Sequence, residues 1–297
     1  MPPLEHVPLD FPLPILRWME QTLRSGQVPH LMTFASSAVR LCRTAEEKGT
    51  DLSGTRFTIT GEPVTDVRLA AIRRVGADVV PDYGSADSGG SVSYGCLSPE
   101  APDDVHIFSD LNALIQADSG PFPPGALFLT SIRSTAPYIF LNVSMGDYAT
   151  IIDRRCGCPM EMLGWKTHLH TIRSFEKLTA GGMTFSDMDI VRILEEILPR
   201  RFGGGPTDYQ LVEELVNDGQ PRLRLLVHPS IAVDNPAAVS DVFLEALGAG
   251  SETQRIMSLQ LRQGGFLRVE RRPPLAAASG KILHLWAGPT AASGGSE

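Results

Sequence analysis

Apolar positions along the first 48 residues recur with helical spacing. In residues 14–26, "PILRWMEQTLRSG", Ile15, Trp18, Met19 and Leu23 fall at i, i+3, i+4 and i+8, one face of a helix, and Gly26 supplies a stop. Residues 36–49, "SSAVRLCRTAEEKG", repeat the pattern and end on Gly49. The period then changes. "TRFTIT" alternates as a strand does, "DVRLAAIRRVG" reads as a helix closed by Gly76, and "ADVVPDYG" is a short apolar strand running into a turn. Strand, helix and strand with tight glycine punctuation predict an α/β layer with a partly parallel sheet.

From about residue 91 the chain becomes short strands and turns: "SVSYGC", "DDVHIFSD", "ALFLTSI", "YIFLNVS", "ATIIDRR", "MEMLGW" and "THLHTI". Closely spaced strands with Gly and Pro turns predict a small antiparallel sheet or barrel. Helical patterning returns after residue 173. "FSDMDIVRILEEILPRRFGGG" opens with Ser186 and Asp189, an S-x-x-D variant of the capping box. Two strands, "DYQLVEELV" and "PRLRLLVHPS", a helix in "PAAVSDVFLEALGAG" and a strand-rich tail complete an α+β pattern. The expected fold class is α/β plus β. Residues 1–90 form an incomplete α/β subdomain, 91–172 a β-rich subdomain and 173–290 a mobile C-terminal α+β domain, and "TAASGGSE" is expected to be disordered.

Composition narrows the function classes. The 297 residues suffice for two or three domains, and 42% hydrophobic with 20% charged residues is an ordinary globular balance. The net charge is −8, and the paired arginines are scattered among acids, so no basic stripe for nucleic acid or an anionic membrane forms. No apolar run reaches the length of a membrane span, and the N-terminus lacks a signal-peptide pattern. The expectation is a cytoplasmic protein, in which four cysteines serve as thiols or metal ligands rather than disulfides.

Cys156 and Cys158 are one glycine apart. A redox pair uses C-x-x-C at a helix N-terminus, so "CGC" after a strand has the wrong spacing. A structural zinc site needs about four soft ligands. Cys96 and His106 from the same strand-rich region complete a Cys₃His set with Cys156 and Cys158, and Gly157 lets the backbone fold so that both sulfurs face one ion. The alternative is a buried apolar Cys96 and a C-x-C in a surface turn. His168 and His170 could also be ligands, but histidines alternating on a strand more often face solvent.

Four turn-forming stretches are ordinary singly: "TITGEPVT", "VVPDYGSADSGG", "NVSMGDYATII" and "AAASGKILHLW". In order and spacing they resemble the motifs of the adenylate-forming superfamily of acyl-CoA synthetases, adenylation domains and luciferases, and within it the phenylacetate-CoA ligase-like branch. Gly61, Glu62 and Pro63 match its Gly-Glu-Pro turn. Asp82, Tyr83, Gly84 and Ser85, with Asp87 in the acid position, match its Tyr-Gly-x-x-Glu turn. Asp147 after Gly146 matches its Gly-Asp turn, Cys156 and Cys158 its cysteine pair, Arg173 loosely its hinge, and Lys281 after Ser279 and Gly280 its C-terminal Ser-Gly-Lys.

The resemblance implies ATP-dependent activation of an aryl or acyl carboxylate as an acyl-adenylate, with transfer to CoA or a carrier-protein thiol. It implies that the two early turns cradle ATP or AMP, that Asp87 helps hold Mg²⁺, that Asp147 binds the ribose hydroxyls, and that Lys281 brings charge to the reacting carboxylate and α-phosphate. Residues 173–177 would be the hinge. The chain departs from the pattern at Asp87, one methylene shorter than glutamate, at residues 142–145, and at Phe175 and Ser186. Only 60 residues precede Gly61, too few for the family's phosphate loop, so that portion is expected from a partner chain, or the chain is a truncated or degenerate relative that binds AMP or a partner without catalysis. A small zinc-binding α/β module with no adenylation link is the third reading.

Overall fold

The computed structural model describes residues 7–8, 11–85, 90–117, 120–136, 138–175, 179–180, 183–185, 187–215 and 221–287. The chain forms two compact units. The first comprises Met1–Ser174 with Ala278–Lys281, and the second Phe175–Ala277 with Ile282–Glu297.

The first unit opens with helix α1 (Leu13–Arg24), strand β1 (His30–Phe34), helix α2 (Ala35–Glu47), strand β2 (Arg56–Thr60), helix α3 (Asp66–Arg73) and strand β3 (Asp78–Pro81). The three strands form a parallel sheet in the order β1-β2-β3, with Thr33 opposite Ile59 and Ile59 opposite Pro81. Their carboxyl ends, Phe34, Thr60 and Pro81, therefore share one edge, the edge at which α/β sheets bind ligands. The apolar stripe read from α1 packs here: Met19 and Leu16 join Phe57, Ile59, Val39 and Ile72 in one core.

Phe34, at the N-cap of α2, has no side chain to satisfy the orphan amides of the first turn. A carboxylate from elsewhere does so. Glu62 accepts from Ser36 N at 2.6 Å and lies 3.6 Å from the Arg68 guanidinium on α3, and both side chains are 1% exposed. Arg68 also donates to Pro63 O at 3.3 Å, while Thr65 caps α3 by accepting from Arg68 N.

Strands β4 (Gly84–Ser85) and β5 (Gly90–Ser91) form a hairpin. A six-stranded antiparallel sheet follows, built from β6 (Ser93–Gly95), β7 (Val105–Ile107), β8 (Asn112–Gln116), β9 (Ala126–Ser131), β10 (Val143–Asp153) and β11 (Thr167–Ser174), in the order β6-β7-β11-β10-β9-β8. Three details differ from the sequence reading, the first being β8, which has no counterpart in it. "YIFLNVS" and "ATIIDRR" contribute to one strand, β10, because Gly146 at φ +69 carries the chain through a register shift between Ser144 and Tyr148 without ending the strand. "MEMLGW" is no strand. Pro159–Met162 is a helical turn, α4, with Pro159 in its first turn and Glu161 reaching back to the amides of Cys156 (2.9 Å) and Gly157 (2.7 Å).

In the second unit, Tyr209–Leu215 pairs antiparallel with Pro221–Val227, and Leu267–Arg271 and Leu285–Trp286 add in parallel at the two edges. Helices Pro236–Gly248 and Glu252–Gly264 and the helical segment from Asp187 to Phe202, which includes a π-helical turn at Ile193–Ile197, pack around Leu211, Leu225, Phe243 and Leu261. The capping box forms at Ser251 and Gln254. Ser186 lies outside the described residues. Buried Gln210 donates to both Leu275 O (3.0 Å) and Leu283 O (2.8 Å) and accepts from Leu275 N (2.7 Å), so one side chain holds both ends of the segment that carries Ala278–Lys281.

Replacing Glu62 by Ala leaves Arg68 buried without this carboxylate and uncaps α2. The expected loss is about 3 kcal/mol of stability, with Glu62→Gln, which keeps an acceptor for Ser36 N, losing less. Urea unfolding followed by circular dichroism checks both.

Candidate functional site

Two clusters of polar side chains stand out in the first unit. One lies at the carboxyl edge of the parallel sheet, where the chain leaves β2 and β3. Gly61 follows β2 at φ +70, a left-handed conformation that suits glycine. A Cβ there would lie 2.9 Å from Lys281 Nζ and 3.0 Å from the Phe34 ring. The Lys281 ammonium sits 4.6 Å from the centre of that ring, a cation–π distance. Gly280 O accepts from Arg40 Nη2 at 2.8 Å and Ser37 Oγ at 3.3 Å, both on α2. Three widely separated sequence positions, Phe34, Gly61 and Lys281, thus meet at the strand ends. Glu62 points inward and serves the fold.

After β3, Tyr83 is fixed at its backbone by Ser93, whose hydroxyl accepts from Tyr83 N (2.9 Å) and donates to Tyr83 O (3.0 Å). The Tyr83 hydroxyl donates to Asp147 Oδ2 at 3.1 Å. Burial, reinforced by that carboxylate, pushes the phenol well above its ordinary pKa and keeps it protonated. Asp147 follows Gly146 within the β10 bulge, an arrangement that re-aims a strand side chain. Gly84 approaches β5 so closely that a Cβ would lie 2.3 Å from Gly90 O. Asp82 is 7% exposed, accepts from Ser91 Oγ at 2.6 Å through Oδ2, and keeps Oδ1 buried with no partner among the described residues. Burial raises the Asp82 carboxyl above its ordinary range, with the Ser91 bond opposing. Ser85 lies in β4, and Asp87 lies outside the described residues.

Arg173 stands on β11 opposite Tyr148, one position from the pair Asp147–Ser174. Its guanidinium donates to Asp103 Oδ2 at 2.9 Å. Between His170 and Arg173, β11 holds one residue more than the facing stretch of β10, and Thr171 takes φ +55. Two amides in this bulge, Thr171 N and Ile172 N, are received by the Asp103 carboxylate at 2.9 and 2.7 Å. The division between the two units falls just after this point, between Ser174 and Phe175.

The second cluster follows from strand parity. His106 on β7 faces His168 on β11, and their ring centres are 4.0 Å apart. Cys96 continues β6, with its amide bonded to Asp104 O, and therefore joins the face that carries His106. Ligand atoms of Cys96, His106, Cys156 and His168 all lie within 4.8 Å of one another. Cys158 Sγ lies 3.1 Å from His106 Nε2, and Cys156 Sγ 3.6 Å. Burial pushes the Cys96 thiol up to about 12. At Cys158 burial acts the same way, but the Glu161 amide and further contacts outweigh it and bring the thiol down to about 6. Gly157, at φ +71, makes the C-x-C turn possible.

Of the predicted set, Cys96, His106 and Cys156 lie in one group of ligand atoms, and Cys158 Sγ lies 3.1 Å from His106 Nε2. His168, read as solvent-facing, is fully buried in the same place because β11 is an interior strand covered on this face. His170, two residues on, bonds Thr171 Oγ1 and takes no part. Asp103, Asp104 and Arg154 escaped the sequence reading. The signal was present in "DDVHIF", where two acids open an apolar strand and are drawn into its interior.

No family model and no curated protein matches this sequence. Solved structures do. The amide bond synthetase McbA from Marinactinospora thermotolerans is 16% identical with a TM-score of 0.52, over 94% of this chain and 54% of that one. O-succinylbenzoate CoA synthetase (MenE) from Bacillus subtilis, in complex with ATP and magnesium ion, is 13% identical with a TM-score of 0.52, over 91% and 53%. The same enzyme with its acyl-adenylate intermediate OSB-AMP is 12% identical with a TM-score of 0.50, over 91% and 52%.

Because folded Asp82 has a raised pKa, wild-type stability declines as pH rises from its ordinary value of 3.8 through the raised one. Asp82→Asn is therefore expected to stabilise the protein at pH 7, with the gain vanishing below pH 3.8, checked by urea unfolding at both ends. The chain spans about half the length of the solved structures it matches, and over that length it shares their fold.

Proposed function

We propose that this chain carries the nucleotide-binding turns and the C-terminal lysine of an adenylate-forming ligase, of the phenylacetate-CoA ligase type. The observation that supports this best is the meeting of Gly61 with Lys281 and of Tyr83 with Asp147 at and beyond the carboxyl ends of adjacent parallel strands. These are the residues the resemblance assigns to AMP, and they are far apart in sequence.

In the proposed reaction a carboxylate oxygen of an aryl or acyl acid attacks the α-phosphorus of ATP. The bond to the bridging oxygen breaks, and pyrophosphate leaves with that electron pair. Lys281 supplies a fixed positive charge where the carboxylate and phosphate oxygens crowd together. Its amine lies 4.6 Å from the centre of the Phe34 ring, a cation–π distance that holds it beside Gly61 at the strand ends. Asp147 offers its carboxylate to the ribose hydroxyls, and Tyr83, protonated and anchored to Asp147, offers a ring face for stacking. Mg²⁺, if held with the help of Asp87, would neutralise phosphate charge. The acyl group would then pass to CoA or a carrier thiol.

An ATP–pyrophosphate exchange assay with a panel of aryl acids tests the activity. Lys281→Ala is expected to lower exchange by about 10²- to 10³-fold with the fold intact. Asp147→Ala is expected to weaken AMP binding about tenfold or more in calorimetry. AMP binding with no exchange for any acid would favour the non-catalytic relative. AMP affinity unchanged in Asp147→Ala would remove the nucleotide assignment.

A further inference from the structure

A buried, neutral histidine needs partners for both ring nitrogens. His168 has one. Its Nδ1 lies 2.7 Å from Asp104 Oδ1, and since a carboxylate accepts, Nδ1 carries the proton and Nε2 presents a lone pair. Nε2 is fully buried and meets no donor among the described residues. It points into the cysteine–histidine cluster. His106 is oriented in the same way: Nδ1 donates to Trp165 O at 2.7 Å, which leaves the Nε2 lone pair facing sulfur. Two imidazoles with their Nδ1 protons tied to oxygen and their Nε2 lone pairs converging is the arrangement that outer partners impose on metal-ligating histidines.

The sulfurs show a matching pattern. Ser98 N donates to Cys96 Sγ at 3.3 Å, and Cys158 N to Cys156 Sγ at 3.4 Å. In both, the amide two residues after the cysteine turns back on its sulfur, a contact that favours thiolate. Arg154 adds a cation, with Nη2 at 3.5 Å from Cys96 Sγ and a bond to the same Asp104 that orients His168.

We infer that Cys96, Cys156, His106 and His168 form a structural zinc site, with Asp104 and Arg154 as positioning residues and Cys158 outside the four ligands. Two thiolates and two neutral imidazoles suit zinc in tetrahedral coordination, and four protein ligands leave no open position for chemistry. This assignment replaces Cys158 of the sequence-predicted set by His168. It goes beyond the nucleotide reading and stands or falls independently of it. The ion would tie β6, β7 and β11 to the Cys156–Cys158 turn.

The test is elemental analysis of the purified full-length chain expressed with added zinc. About one equivalent is expected. Less than about a tenth of an equivalent in folded protein overturns the site. Cys156→Ser and His168→Ala are expected to lose the metal, and Cys158→Ser to keep it. If instead Cys158→Ser loses it and His168→Ala keeps it, the ligand assignment is overturned. Should these variants fail to fold, the cobalt(II)-substituted wild type provides a second readout. Intense visible bands of a tetrahedral site with thiolate charge transfer are expected, and weak octahedral bands overturn the proposal. Asp104→Asn, similar in volume, should weaken zinc about 10- to 100-fold in chelator competition. Unchanged affinity removes Asp104 from its positioning role.

Discussion

Two adjacent buried carboxylates hold the β-rich part of the first unit in order. Asp103 and Asp104 are 3% and 0% exposed. Neighbouring residues on an extended chain point to opposite sides, and here each side has its own task. Asp104 takes His168, Arg154 and the Glu100 amide, and these bonds hold its carboxyl below the ordinary range although burial opposes this. Asp103 takes the two bulge amides of β11 and the Arg173 guanidinium. A buried carboxylate is tolerated only when surrounded by donors in this way. The pair therefore fixes both the sulfur–imidazole cluster and the strand end beside Asp147. Loss of either carboxylate leaves the donors on its own side without their acceptor.

Much of this was legible in the sequence, for identifiable reasons. The helical stripe of Ile15, Trp18, Met19 and Leu23 and the alternation in "TRFTIT" are period signals, and period survives tertiary context. The C-x-C with Cys96 and His106 was legible because soft ligands are few. Single-residue turn signals fared differently. In "CPMEM", Pro159 and Glu161 open a helical turn, and their signal lay in backbone capping rather than hydrophobicity. His168 was misplaced because alternation tells which residues share a face and leaves open which face is covered. That depends on β7 and β10 flanking β11, a pairing between segments distant in sequence. The same holds for Glu62. A Gly-Glu-Pro turn in the sequence says nothing of the uncapped helix 26 residues upstream that takes its carboxylate.

The two buried acids next to the sheet edge differ in how fully they are satisfied. Glu62 is surrounded by donors and rigidifies the strand ends. Asp82 has one short bond and one bare oxygen. Stability alone would favour an amide or an apolar residue at that position. A carboxylate left short of donors at a sheet edge is the kind of local cost that functional sites retain.

Gln210 has a consequence for the chain between Leu275 and Leu283 that neither the strand-end turns nor the cluster provides. The segment carrying Lys281 is a closed loop with both feet on one side-chain amide. Once the feet are fixed, the closure entropy of the loop has been spent, and the residues between them no longer sample the volume of a free chain. The span of this loop is thus set by a glutamine on a strand more than sixty positions before it.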